Sequence, residues 1–191
     1  MADRILSLAE ITALEQACEL GAPLFSQVLE ALLARWNSPL RDAETATRLL
    51  YYIHEGHTTQ PQYTGIESVD LPSAERVLEE AGGEEALPAD TLFALALLLS
   101  WQAWPFGDAA SWTVTSRRWA ETAMIREPKS RLFREWKFFF HEARDTDGPK
   151  VYIEPEIHAR YHGRGMFGQR MVNLLTQTLW RGKLSEGESD A

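Results

Sequence analysis

Apolar residues recur at helical spacing along most of this chain, and this periodicity predicts a helical protein. Ser7 followed by Glu10 has the form of a capping box, which marks the start of a helix. Beyond it the apolar positions return to one helix face every three or four residues: Leu8, Ile11, Leu14, Ala17 and Cys18. Gly21, a residue that readily takes a positive φ, is expected to end this helix.

Patterns of the same kind predict further helices, separated by Gly, Pro and other turn residues. Their ranges are 23–36, 38–55, 88–104, 111–126, 130–144 and 168–180, with shorter patterns over 73–81 and 156–162. In the helix over 38–55, Ser38 is interpreted as the N-cap and Pro39 as the first helical residue. Residues 56–71 lack periodicity and are predicted to form a long loop.

One segment, residues 150–154, has the composition and alternation of a β-strand. A single strand cannot make a sheet, so this segment is either an extended connector or half of a minor strand pair near Val151. We therefore predict an all-α fold, a single-domain bundle of about seven or eight helices over residues 1–184. Residues 185–191 are small and acidic and are predicted to form a flexible tail.

The bulk composition is that of a globular protein. The chain has 191 residues, of which 45% are hydrophobic and 25% are charged, so it can bury a sizeable core. Its most apolar segment, residues 92–99, is too short to span a bilayer and is interpreted as a buried central helix. The single cysteine, Cys18, excludes an intrachain disulfide, and no signal sequence is evident, so we expect a cytoplasmic protein that is not in the membrane.

The net charge of −9 is distributed unevenly along the chain. Residues 1–116 carry 5 basic and 17 acidic residues, whereas residues 117–183 carry 14 basic and 8 acidic ones. The basic part also holds most of a dense aromatic stretch, residues 116–144. Two interpretations stay open: the basic part faces solvent and binds an anionic partner, or it binds the acidic half of its own chain. The aromatic residues are likewise either a stacking platform for bases or the buried face of two helices.

A run of His, Arg and Gly precedes the last predicted helix. Its members are His158, Arg160, His162, Gly163, Arg164, Gly165 and Arg170. A helix N-terminus presents unpaired N–H groups that favour an anion, and glycines let the backbone approach one. Gly163, Gly165 and Gly168 also match G-x-G-x-x-G, but a dinucleotide site needs a strand leading directly into that pattern. We therefore predict an anion site in these seven residues; the alternative is a flexible turn with solvated arginines.

Four of the five histidines occur in close pairs, His54 with His57 and His158 with His162. On a helix, His158 and His162 would share one face, which suits a metal such as zinc. Surface histidines without a metal are the simpler interpretation, so we predict no cofactor.

Arg134 and His141 lie seven residues apart on one predicted helix and hence on one face. This spacing resembles the R-x(4–6)-H motif of the HEPN ribonucleases, helical proteins that cut RNA at a dimer interface. The resemblance implies that His141 would exchange a proton with a ribose 2′-hydroxyl while Arg134 stabilised the phosphorane. The alternative is a helix end at which a cationic histidine is favourable.

Three classes of function follow from these features. The sequence favours a non-catalytic cytoplasmic binding or adaptor protein whose basic, aromatic C-terminal surface receives a nucleic acid or an acidic protein. The second class is a hydrolase that uses either the histidine pairs or Arg134 and His141. The third is a structural subunit of a homo-oligomer or another complex, assembled through exposed tryptophans.

Overall fold

The computed structural model describes residues 4–19, 25–58, 69–140 and 151–184, and these contain helices and turns but no strand. The helices in chain order are α1 (Leu8–Glu19), α2 (Phe25–Trp36), α3 (Ala43–Thr58), α4 (Ala74–Ala81), α5 (Ala89–Trp101), α6 (Ala109–Arg126), α7 (Arg131–Arg134), α8 (Trp136–Phe139), α9 (Glu154–Tyr161) and α10 (Gly165–Leu184). Short 3₁₀ segments occupy Glu84–Ala86, Trp104–Phe106 and Val151–Ile153. The predicted all-α bundle is confirmed.

Helix α5 lies at the centre of the bundle. Every residue from 91 to 99 is buried, because a helix that is apolar on all sides must be enclosed by others. Helix α6 packs along α5, and α3 contacts it as well. The prediction of a buried central helix is therefore confirmed. Among the described helices, none has the length together with the apolar character that a bilayer crossing requires.

The aromatic residues of the dense stretch over 116–144 include members of the hydrophobic core. Trp119, Phe133 and Phe139 are almost completely buried. The ring of Phe93 on α5 lies 5.0 Å from that of Phe133 and 6.1 Å from that of Phe139. Aromatic pairs at such distances stabilise a core beyond the area that they bury. These aromatic residues attach the basic segment to α5, so they are not available to stack on bases.

Several predicted caps are present. Ser7 Oγ accepts the backbone N–H of Glu10 at 3.3 Å, and Glu10 accepts the N–H of Ser7 at 2.9 Å, as in a capping box. Ser73 accepts the N–H of Arg76 at the start of α4. Gly82, with φ +97°, ends that helix.

Helix α3 begins later than predicted, at Ala43, and its cap is Asp42. The Asp42 carboxylate accepts the Thr45 N–H at 2.8 Å, and Arg35 and Thr45 hold it further. Ser38, the predicted cap, instead donates to the Arg35 carbonyl oxygen at 2.7 Å and accepts the Leu40 N–H, which forms a turn. A Ser-Pro pair is typical of such a turn as well as of a helix start, so it does not locate the start of α3. The cap at Asp42 determines where α3 begins.

The predicted helix over 130–144 is interrupted at Glu135. The Glu135 N–H donates to carbonyls of α7, and α8 starts after it. The apolar side chains that suggest one helix are still buried, on the two short helices and at Phe140 just after them: Leu132, Phe133, Trp136, Phe139 and Phe140. The apolar spacing therefore predicts the buried positions correctly, but the prediction of one continuous helix is wrong. Residues 141–150 lie outside the described part of the chain.

The predicted strand near Val151 is wrong. Val151–Ile153 forms a 3₁₀ turn that leads directly into α9 at Glu154. Pro155 sits in the first turn of α9, where a missing N–H does no harm. In this turn Ile153 is buried and Tyr152 is half-exposed, which is the alternation expected of a strand. Over so few residues, the alternation does not distinguish a strand from a turn.

Candidate functional site

The glycines before α10 allow close contact between helices. Gly163 and Gly165 have φ values of +81° and +64°, and Gly165 is the first residue of α10. A Cβ atom on Gly165 would lie 1.8 Å from Glu15 Oε2, and one on Gly168 would lie 2.0 Å from the Tyr161 carbonyl oxygen. Gly165 therefore permits α10 to approach α1, and Gly168 permits it to approach the end of α9.

The anion that lies at the N-terminus of α10 is the carboxylate of Glu15. The Met166 N–H donates to Glu15 Oε2 at 3.2 Å, Arg48 Nη1 lies 3.1 Å from the same oxygen, and the Tyr52 hydroxyl donates to Oε1 at 2.9 Å. The Glu15 side chain is fully enclosed. Burial raises the pKa of Glu15, and the positive charge of Arg48 opposes this shift only in part.

Arg164 is bound between two carboxylates. Its Nε lies 3.0 Å from Glu44 Oε2 and its Nη1 lies 2.5 Å from Asp90 Oδ2. Glu44 also accepts a hydrogen bond from Arg48 at 3.0 Å. A chain of alternating charges, here named the ion network, thus runs through Glu15, Arg48, Glu44, Arg164 and Asp90. It joins α1, α3, α5 and the turn before α10.

Arg160 makes an equivalent connection at the other side of α9. It donates to Glu127 at 2.7 Å and to Glu156 at 3.0 Å, and its guanidinium lies over the Phe133 ring. The pKa of Arg160 is raised because these two carboxylates outweigh the effect of its burial. Arg160 therefore fastens α9 to the end of α6 and to α7.

The remaining members of the predicted anion site are exposed. His158 lies 4.0 Å from Glu154, and Arg170 lies 3.8 Å from Glu55. His162 caps the end of α9 and is exposed. Of the predicted cations, Arg160 and Arg164 are thus held by carboxylates at partly buried positions, whereas His158, His162 and Arg170 are exposed at the surface.

A small cleft of about 160 Å³ opens beside the start of α10. It is lined by Thr12, Glu15, Gln16, His162, Gly163, Gly165, Met166 and Gln169. Because Glu15 contributes a carboxylate to this cleft, a second anion is disfavoured there. The cleft is consequently not where we place an anionic partner.

The histidine pairs do not assemble a metal site among the described residues, which hold no group of three or more His, Cys, Asp or Glu arranged for a metal ion. His54 is buried, and its Nε2 lies 3.0 Å from the Gln102 carbonyl oxygen. His54 Nδ1 has no hydrogen-bond partner there and lies 3.6 Å from Glu55 Oε1. The side chain of His57 lies outside the described part of the structure.

The ribonuclease-like pair can be followed only at Arg134, because His141 lies outside the described residues. Arg134 is exposed on α7, and its Nε donates to the Ser130 carbonyl oxygen at 3.3 Å. The break at Glu135 removes the continuous helix on which the shared face of Arg134 and His141 was predicted.

A group of cations on α7 and just before it faces solvent. Lys129, Arg131 and Arg134 are exposed, and none of them forms an ion pair with a carboxylate of the described residues. The Arg131 guanidinium lies 6.0 Å from the centre of the Tyr152 ring, which is half-exposed. The Tyr152 hydroxyl donates to Glu135 at 3.0 Å. We name Lys129, Arg131, Arg134 and Tyr152 the α7 surface.

The sequence contained a signal for this surface. Leu132 and Phe133 fill the core, so the neighbouring positions 131 and 134 must point outward. The sequence alone could not assign Tyr152 to the α7 surface, because the position of Tyr152 depends on how α9 packs against α7.

Comparisons with known proteins gave no match, either to a family model, to a curated protein or to a solved structure.

Proposed function

We propose that this chain is a non-catalytic cytoplasmic binding protein that contacts an anionic partner through the α7 surface. The observation that supports the proposal is the contrast between this surface and the other basic residues of the C-terminal third. Arg118, Arg126, Arg160 and Arg164 bind carboxylates of the chain, whereas Lys129, Arg131 and Arg134 bind none among the described residues. A free guanidinium keeps its planar array of donors for phosphate or carboxylate.

Between the two classes of partner, the surface favours single-stranded nucleic acid over an acidic protein. Tyr152 offers an aromatic ring beside Arg131, and a ring next to cations is the combination on which single-stranded bases stack while their phosphates are neutralised. An acidic peptide would use the arginines but would gain little from the ring. The proposed function thus requires contributions from both kinds of residue.

The test is the binding of a fluorescent mixed-sequence single-stranded RNA at two salt concentrations. Neutralising about three phosphates predicts a slope of about −2 in a plot of log affinity against log salt. Replacing Arg131→Ala and Arg134→Ala together should weaken binding about tenfold or more and flatten the slope. Tyr152→Leu should weaken binding by about tenfold with no change in slope, because it removes stacking and no charge.

The control is Arg4→Ala with Arg76→Ala, which removes the same charge from two exposed arginines elsewhere. Binding in this variant should match that of the unaltered chain. Equal loss in both double variants would show a general charge effect and contradict the α7 surface. RNA cleaved in the same samples would contradict the non-catalytic part of the proposal. Failure to bind RNA together with arginine-dependent binding of a polyglutamate peptide would shift the partner to an acidic protein.

A further inference from the structure

One face of α6 carries an exposed stripe that no other described residue of the chain covers. Val114 and Ile125 are 69% and 72% exposed, which is unusual for β-branched aliphatic residues on an ordered helix. Arg118 and Glu121 lie between them and are exposed as well. We name these four residues the α6 seam.

The spacing of the seam is that of a helix pairing surface. Its residues follow one another at intervals of four, three and four, which is the alternation of the a and d positions in a coiled coil. Over the eleven steps from Val114 to Ile125 the side-chain direction changes by only about 20°, so the stripe runs straight along about 16 Å of helix. A second helix laid along α6 would therefore meet all four residues.

The order of the four residues selects the partner. A two-fold axis between the paired helices, level with positions 119 and 120, places Val114 opposite Ile125 of a second copy, and Arg118 opposite Glu121 of that copy. Each contact then occurs twice, as in an isologous interface. We propose that α6 pairs antiparallel with α6 of a second copy of this chain and forms a homodimer.

Charge fixes the antiparallel direction. A parallel pair would place Arg118 against Arg118 and Glu121 against Glu121, which costs free energy through like-charge repulsion. The Glu121 carboxylate makes no ion pair within the described residues, so it can accept one from a partner. Arg118 uses one amino group for Glu84 at 2.6 Å, and the other donors of its guanidinium remain for Glu121 of the second copy.

The seam predicts a weak dimer that exchanges with monomer. One helix pair of this length buries less than the roughly 1,200 Å² of total surface at which stable complexes begin. The dimer would place the two α7 surfaces beyond opposite ends of the paired helices, since α7 follows the C-terminal end of α6. The pairing does not depend on the α7 surface, so either proposal can fail without the other.

Sedimentation equilibrium of the full chain from low to high micromolar concentration tests the seam. The unaltered chain should show a reversible monomer–dimer equilibrium, and Ile125→Asp should raise the dissociation constant at least about tenfold by burying a charge against Val114 of the second copy. Leu40→Asp, at a half-exposed leucine away from α6, is the matched control and should leave the equilibrium unchanged. Circular dichroism of each variant should match that of the unaltered chain, because both positions are at the surface.

A charge exchange tests the register and direction. Arg118→Glu alone and Glu121→Arg alone should each weaken the dimer, because like charges then face one another. The double variant R118E/E121R should restore most of the affinity. Arg118→Glu also loses the ion pair with Glu84, but the double variant shares that loss, so the comparison between the two isolates the contact across the dimer. A chain that stays monomeric at all concentrations, a dimer indifferent to Ile125→Asp, or a double variant no better than R118E would overturn the proposal.

Discussion

At Gly165 the backbone of α10 comes so close to α1 that only a hydrogen atom fits in place of a side chain. The residue combines a φ of +64° with a clearance from Glu15 that would leave an added Cβ atom 1.8 Å from Oε2. That contact allows the Met166 N–H to donate to the buried carboxylate. One glycine thus determines whether the N-terminus of α10 can reach the Glu15 carboxylate, which Arg48 and Tyr52 also bind.

Gly165→Ala should lower the free energy of unfolding by about 2–5 kcal/mol, combining the penalty of a left-handed conformation with that of overpacking. Gly163→Ala is the matched comparison. Gly163 also has a positive φ, but a Cβ atom there would meet nothing within 4 Å. Gly163→Ala should therefore lower the free energy of unfolding by only about 1–2 kcal/mol. Denaturant unfolding of both variants measures the difference, and equal losses would contradict the close contact with Glu15.

The sequence indicated part of this arrangement. Gly-rich residues before a helix predict a backbone that approaches a negative charge, and at Gly165 it does. The identity of the charge was not predictable, because Glu15 lies 151 residues before Met166 and no local pattern connects them. Arg164 likewise looks the same in the sequence whether it points to solvent or binds Glu44.

At the scale of elements, the short helices α7 and α9 depend on each other through Glu156. Its carboxylate accepts the Ser130 hydroxyl at 2.6 Å, the N–H groups of Arg131 and Leu132, and Arg160 Nε at 3.0 Å. A helix of four residues has little stability of its own, so a carboxylate at its first N–H groups helps to form it. Burial alone would raise the pKa of Glu156, but these hydrogen bonds lower it.

Glu156→Gln should lower the free energy of unfolding by about 1–3 kcal/mol near neutral pH. Because the folded-state pKa lies below the unfolded one, the contribution of Glu156 is complete above the unfolded value of about 4.5 and is lost as the pH falls through the folded value. The difference in unfolding free energy between Glu156→Gln and the unaltered chain should therefore become smaller in acid. Urea unfolding at several pH values measures this difference. Glu79→Gln, at an exposed glutamate, is the control. A gap that widens as the pH falls would contradict the lowered pKa.

Elements whose ends are decided locally were predictable, and those decided by distant residues were not. Ser7, Ser73 and Gly82 act within a few residues of the positions that they cap. The break at Glu135 lies in a stretch where the apolar spacing is compatible with one long helix. Likewise, the start of α9 depends on where Ile153 packs, and the sequence around Val151 carries no signal for it.

In the whole molecule, part of the charge asymmetry of the sequence is used for ion pairs inside the fold. Arg164 binds carboxylates on α3 and α5, in the acidic half of the chain, whereas Arg160 binds Glu127 and Glu156 within the basic part itself. Of the two interpretations that the sequence left open, attraction to the acidic half of the chain thus accounts for Arg118, Arg126 and Arg164, but not for Arg160. The cations of the α7 surface, Lys129, Arg131 and Arg134, form no ion pair with a carboxylate of the described residues. Charge counts along a sequence cannot separate these two groups, because both consist of arginines beside aromatic residues.

The most direct test compares the two groups of arginines in one set of samples, by recording thermal unfolding together with binding of single-stranded RNA. Arg164→Met should lower the free energy of unfolding by about 3 kcal/mol, because it leaves Glu44 and Asp90 without their shared partner, yet RNA binding by the folded protein should be unchanged. Arg131→Ala with Arg134→Ala should abolish most of the binding and leave the unfolding temperature nearly unchanged. If Arg164→Met instead removed binding without loss of stability, the division between internal and surface arginines would be contradicted.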